Sequence, residues 1–168
     1  MRDNDGQQFG RLPATDDDRA VEGRPSRAAV VDFWQDRYGI PAGTWDDYTF
    51  WERGAGKLWA FHGEVPSPAR IQGLGMAVLR TGGEHWKPTT NAVQRFGRFA
   101  TDCVIELDEP EARAFLAGHD QELPWWDGDW GYLIASHEIA GEPEPIGVGL
   151  YLHGELRSQV PKGRQREL

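Results

Sequence analysis

The sequence predicts an α+β fold: a small mixed β-barrel with short helices, preceded by a small helix-plus-hairpin extension. Three observations point there. After residue 100, short apolar runs of strand length alternate with turn residues. Helical spacing is confined to three short stretches. Eight tryptophans, seven phenylalanines and four tyrosines supply enough burial for a packed core. Short strands at intervals, with one or two helices among them, fit a closed or nearly closed barrel better than a parallel sheet. At 168 residues the chain holds one domain, or one domain with an extension.

Residues 1–25 are polar, with an acidic run at Asp16-Asp17-Asp18, and are expected to be a mobile segment that Phe9 and Leu12 tether to the body. Residues 26–69 form the extension. Ser26 is placed to cap a helix in which Val30, Phe33, Trp34 and Tyr38 recur at helical spacing, and Gly39 ends it. Thr49–Glu52 and Leu58–Phe61 read as strands of a hairpin joined by Arg53-Gly54-Ala55-Gly56-Lys57. Whether this extension packs onto the barrel is left open by the sequence.

The barrel region is expected over residues 70–168. It opens with a strand, Met76–Leu79, and a turn at Gly82-Gly83. A short helix starting at Lys87-Pro88-Thr89-Thr90 carries Ala92, Val93 and Phe96 and stops at Gly97; proline suits a first helical turn, where no amide hydrogen is needed. A strand around Cys103-Val104-Ile105 makes the single cysteine a buried structural residue. Asp108 and Glu111 have capping-box spacing for a helix over 109–117, which ends at Gly118. Strands follow at 131–136 and 146–152, separated by a polar loop.

The chain carries 27 acidic and 18 basic residues, a net charge of −9, and only Lys57, Lys87 and Lys162 are lysines. An acidic, lysine-poor chain is expected of a high-salt cytoplasm such as that of a halophilic archaeon; it is also what an acidic soluble protein of a GC-rich genome looks like. No apolar run approaches the roughly 20 residues of a membrane span, and no hydrophobic signal segment opens the chain, so a cytoplasmic location is expected.

The sequence offers little for catalysis. The five histidines never pair at i, i+3 or i, i+4, and no Cys-x-x-Cys is present, so no metal site is expected. Asp127-Gly128-Asp129 lacks the other ligands of a calcium loop and reads as a turn between Trp126 and Trp130. Gly54-Ala55-Gly56-Lys57 lacks the spacing of a phosphate loop, and no G-x-S-x-G elbow occurs. No cofactor is expected.

The order of the later segments carries more. The helix-to-glycine run Leu107–Gly118, then "GYLIA" from Gly131, then "IGVGLYLHGELRSQVPK" from Ile146, resembles the PUA-like RNA-binding module. The similarity is to the one at the C-terminus of the Sun-family RNA cytosine-5 methyltransferases, and it covers roughly residues 70 to 165. Those enzymes also have a Rossmann-like domain that binds S-adenosylmethionine, and nucleophilic cysteines, one of which follows a proline. Here Cys103 follows Asp102 and no such domain is present. The resemblance therefore implies the RNA-binding part without the enzyme. It further implies that "KPTTNAVQRFGRFAT", Lys87–Thr101, leads into the barrel. Gly118 would leave backbone open to RNA, and "LRSQVPKGR", Leu156–Arg164, would be the closing strand and basic exit.

Charge is unevenly placed. Arg70, Arg80, Lys87, Arg95 and Arg98 face only Glu84 between residues 70 and 101, and Arg157, Lys162, Arg164 and Arg166 cluster near the end. Residues 102–145 hold many carboxylates and one base, Arg113. The two basic segments either meet on one face, or their arginines are solvated or paired with those carboxylates. Trp86, beside His85 and Lys87, either stacks a base while the cation holds a phosphate, or plugs the core. The expected RNA contacts are thus Arg80, Trp86, Lys87, Arg95, Arg98, Gly118, Arg157, Lys162 and Arg164. The expected function is non-catalytic binding of structured ribosomal or transfer RNA, beside an RNA methyltransferase or other modification enzyme, with no membrane or DNA partner. The alternative is a protein-interaction module that docks through its acidic face and exposed tryptophans; a small-molecule-binding barrel is a third option.

Overall fold

The computed structural model describes residues 8–19, 21, 23–65, 67 and 75–165. Arg70 and Arg166 of the two basic segments lie outside them. The chain divides into two compact units, Met1–Lys87 and Pro88–Leu168. Among the described residues they hold two five-stranded sheets and three short α-helices, an α+β architecture.

The first unit is built on helix α1 (Arg27–Tyr38). Ser26 Oγ accepts the Ala29 amide at 3.0 Å, and Gly39 closes the helix at φ 69°, in the left-handed conformation that glycine adopts without cost. The positions at helical spacing, Val30, Trp34 and Tyr38, are fully buried. They face a sheet ordered β1 (Phe9–Arg11), β2 (Tyr48–Arg53), β3 (Lys57–His62), β4 (Met76–Arg80) and β5 (Lys87–Pro88). On the helix side Trp34 stacks on Trp45, and Trp45 on Phe50. Arg27 ties helix to sheet: its guanidinium donates to the Tyr48 and Trp45 carbonyls and lies over Phe50, and burial holds its pKa below the usual arginine value. On the other face Phe9 and Trp51 pack with Trp59, Phe61 and Val65.

The expected tether at Phe9 and Leu12 is present: Phe9–Arg11 pairs antiparallel with β2, Phe9 is fully buried, and the Leu12 amide donates to the Phe50 carbonyl at 2.9 Å. The apolar face that β2 turns away from α1 needs cover, and Phe9 supplies it. The extension is larger than a helix and a hairpin. Met76–Arg80, read from sequence with the barrel, hydrogen-bonds to β3. A two-stranded hairpin alone is marginal in water, and β1 and β4 give it the flanking strands it needs.

The second unit begins with α2 (Thr90–Phe96), capped by Thr89, whose hydroxyl accepts the Ala92 amide at 3.1 Å. Pro88 thus belongs to β5, outside the helix it was expected to start. The sheet runs β6 (Val104–Leu107), β8 (Gly131–Ile139), β9 (Glu142–Leu152), β10 (Glu155–Ser158) and β7 (Gln121–Glu122). β6 and β8 pair in parallel, whereas the β8–β9, β9–β10 and β10–β7 pairs are antiparallel, so the sheet is mixed, compatible with a small barrel. Helix α3 (Glu109–Leu116) has both arms of its capping box at 2.9 Å. Its Phe115 is fully buried and reaches the sheet at Gly147 and Gly149, where added Cβ atoms would lie 2.9 and 3.3 Å from the ring. The core is Ile105, Leu107, Ala112, Phe115, Leu133, Ala135, Tyr151 and Leu156, among others.

The polar loop expected between the last two long strands is a ribbon instead. β8 and β9 continue to a two-residue turn at Ala140-Gly141, with φ 53° and 85°, as in hairpin turns of the primed type. These residues are mostly exposed, so no apolar alternation marks them. Cys103, expected within a buried strand, sits just ahead of β6 at φ 54° and half-buried.

Candidate nucleic-acid interface

In the second unit α2 turns Ala92, Val93 and Phe96 inward and leaves Asn91, Gln94 and Arg95 exposed. The helix tightens into a 3₁₀ turn at Gly97–Phe99, and Gly97 lies against Pro145, with an added Cβ only 3.0 Å from it. Phe99, at the end of that turn, is 47% exposed. The Arg98 guanidinium lies 5.7 Å from the Phe99 ring centre, and Arg95 5.9 Å from that of Phe96. Arg98 has no carboxylate partner among the described residues. The result is a short exposed strip of two cations and one open aromatic face.

At the end of the chain, Ser158 Oγ donates to the Phe115 carbonyl at 2.7 Å and anchors the segment that leads to a 3₁₀ turn, Lys162–Arg164. Lys162 and Arg164 are exposed and have no carboxylate partner among the described residues. Arg157 differs. Its Nε donates to Glu155 Oε1 at 2.8 Å, two residues away on the same face of β10, so much of its charge is already answered. Gly118 has φ +86°, but the space beside it is not open: a Cβ there would collide with the Gln165 carboxamide. RNA approaching that backbone would have to displace Gln165.

Arg80, Trp86 and Lys87 belong to the first unit. The Trp86 ring is half-buried against Phe33 of α1, centres 5.3 Å apart. Arg80 is exposed at the end of β4. The Lys87 ammonium is held below the usual lysine pKa, first by burial and then by the charge of Arg80.

Sequence reasoning missed Phe99 and Lys57. The signal for Phe99 was present in the repeated Arg-Phe pair, Arg95-Phe96-Gly97-Arg98-Phe99, with a glycine between the copies. Of the three clustered tryptophans, Trp126 packs on the core, while Trp125 and Trp130 are 51% and 54% exposed among acidic residues. A cavity of about 400 Å³ in the second unit is lined by Glu106, Asp108, His137 and Glu138, the wrong sign for phosphate. Among the described residues no group of three or more His, Cys, Asp or Glu side chains is arranged to hold a metal ion. No helix among them is long and apolar enough to cross a membrane.

Residues 1–75 match a family of unknown function, DUF7122. Over 114 residues, 66% of this chain, the sequence is 24% identical to the ribosomal RNA small subunit methyltransferase F of Aeromonas salmonicida (strain A449). The matched stretch makes up 23% of that protein. The similarity is distant, links the chain weakly to an rRNA-modifying protein, and is consistent with a PUA-like module.

Proposed function

We propose that the chain is a non-catalytic RNA-binding protein whose later part is PUA-like. Its ligand is structured ribosomal or transfer RNA, and it acts beside a separate RNA modification enzyme. The observation that carries this is the strip on α2: Arg95, Arg98 and the open ring of Phe99. A cation next to an exposed aromatic ring is the arrangement that holds a phosphate while a base stacks. Exposed Lys162 and Arg164 add to it. The relative is named for rRNA methylation, and only 23% of it is matched, which supports an accessory role over catalysis. Because the chain as a whole is acidic, affinity rests on these local groups and on RNA shape.

The test is fluorescence anisotropy of the purified chain with transcripts of small-subunit ribosomal RNA, with transfer RNA, and with DNA of the same sequence. RNA is expected to bind and DNA to bind weakly. Arg95→Glu/Arg98→Glu should flatten the salt dependence by about 1.4 in log–log slope, at about 0.7 per single-stranded phosphate contact. If both RNAs are ignored at low and high salt, the reading fails. The exposed Trp125 and Trp130 would then make a protein-docking module the better account.

A further inference from the structure

The first unit carries a cationic cluster of its own, apart in sequence from the RNA strip on α2. Lys57, at the start of β3, and Arg80, at the end of β4, are direct cross-strand partners. Like charges placed opposite one another across a ladder destabilise it, so the sheet holds an unfavourable pair. Neither has a carboxylate partner among the described residues. Arg53 lies on the same side: its guanidinium is 5.3 Å from the Trp59 ring centre, and the Lys57 ammonium is 4.9 Å from it. Trp59 therefore props two cations at one end of the sheet. The Lys57 pKa is pushed down by burial, then by Arg80 and Arg53, as befits a cation short of counter-charge.

The nearest acid in sequence is already engaged. Glu52 is buried, and its carboxylate takes Arg24 at 3.0 Å and the Gly56 amide at 3.4 Å. Alternation along β2 turns it to the opposite face from Arg53. Glu84 is the one acid in the turn after β4.

Two glycine turns border the cluster. The β2–β3 turn and the turn after β4 are pressed together: the Thr81 amide donates to the Gly56 carbonyl at 2.8 Å, and a Cβ on Gly56 would lie 3.0 Å from the Gly82 nitrogen. Gly56 has φ +84°, so both space and backbone conformation call for glycine there. At Gly54 and Gly82, by contrast, nothing lies within 4 Å of an added Cβ, so that stretch of backbone is open to approach. A bare backbone beside clustered cations admits a bulky anion closely.

We infer that Lys57 and Arg80, with the two glycine turns beside them, form a phosphate platform on the first unit that takes successive phosphates of an RNA strand. This rests on the RNA-binding reading and adds a contact surface to it; Lys57 lies within the residues that match the family of unknown function and Arg80 just beyond them. Successive phosphates suit the site because two adjacent cations of one sign are relieved together by two linked anions, and the platform offers no base-reading group.

The experiment measures anisotropy of the full-length chain with a labelled single-stranded RNA over 50–200 mM salt. Wild type, Lys57→Glu/Arg80→Glu and Arg95→Glu/Arg98→Glu are compared, with thermal unfolding as the fold control. Losing two contacts should lower the log–log slope by about 1.4, so that raising salt fourfold costs the variant about sevenfold less affinity than it costs wild type. Lys57→Gln/Arg80→Gln, which adds no charge, should behave similarly and stands in if the reversal fails to fold. If the Arg95/Arg98 reversal weakens binding while both Lys57/Arg80 variants match wild type in affinity and slope, the platform is refuted and the RNA-binding reading survives. If wild type binds no RNA, both fall. If polyglutamate of equal charge competes as well as unlabelled RNA, the platform serves acidic protein segments and the inference is likewise overturned.

Discussion

Phe96 and Phe99 lie three residues apart, each next to an arginine, and the structure assigns them opposite roles. Phe96 is 4% exposed and packs beneath α2; Phe99 is 47% exposed. Truncating a buried phenylalanine costs about 3–5 kcal/mol, transfer and cavity together. Phe96→Ala should therefore remove much of the second unit's stability. Full burial of such a side chain is worth about 2–3 kcal/mol; Phe99 realises roughly half of that, and water fills the space it leaves, so Phe99→Ala should cost about 1 kcal/mol. Urea unfolding followed by tryptophan fluorescence separates the two.

Binding should show the reverse order at temperatures where both variants are folded. If the Phe99 ring stacks a base, its loss costs about 1–3 kcal/mol, roughly 5- to 160-fold in affinity. Phe99→Ala removes no charge, so the slope of affinity against salt should stay put. Arg98→Ala should lower that slope by about 0.7. Phe99→Leu keeps apolar support under the Arg98 guanidinium without a base-sized face, and should resemble Phe99→Ala in affinity. Unchanged affinity in Phe99→Ala would refute the stacking role. A changed slope would show that the ring acts by positioning Arg98.

Three further expectations follow from local geometry. Asp108→Ala removes the acceptor for the Glu111 amide and one arm of the capping box, and should cost about 1 kcal/mol in chemical unfolding, with Asp108→Ser recovering most of it. Glu52→Ala strands a guanidinium whose side chain is only 19% exposed, along with the Gly56 amide; a loss of about 2–3 kcal/mol is expected, and a double-mutant cycle with Arg24→Ala should recover coupling of at least 1 kcal/mol. Lys57, whose folded pKa is lowered, destabilises the fold fully at pH below that value; the penalty fades as pH rises through it towards the ordinary lysine value. Bound phosphate favours the charged amine, so an NMR titration of the Lys57 side chain should show its pKa rising when RNA is added.

Elements set by local chemistry were legible in the sequence. Ser26, Gly39 and the Asp108–Glu111 pair act on backbone groups within a turn of themselves, and each does what its spacing implied. The long strands at Gly131 and Ile146 carry their own apolar pattern, and only their solvent-facing ends escaped notice. Pairing was less legible. Alternation says that Met76–Arg80 is a strand but not which strand it joins, and three residues of β1 amid polar neighbours give no pattern at all. The second sheet shows the same limit: β6 and β7 end up at its two edges, although one long helix-bearing connection is all that separates them in the chain.

The cations divide in a similar way. Arg113 and Glu109 are one helical turn apart, and Arg157 and Glu155 share a strand face; both pairs could be read from spacing, and both arginines are answered. Other settings depend on residues that come from elsewhere in the chain. Lys57 and Arg80 meet only because β3 and β4 pair in one register, with a bulge between Leu58 and Trp59. Phe99 lies open at the end of a 3₁₀ turn whose Gly97 packs against Pro145 of the distant β9. A net charge of −9 says nothing about either arrangement. Glu109 and Glu155 neutralise the arginines beside them, while Lys57 and Arg80, brought together by strand register, keep their field. Phosphate is therefore more sensitive to sheet register than to composition, and a register shift of β4 would abolish the Lys57–Arg80 pair without altering a single charge.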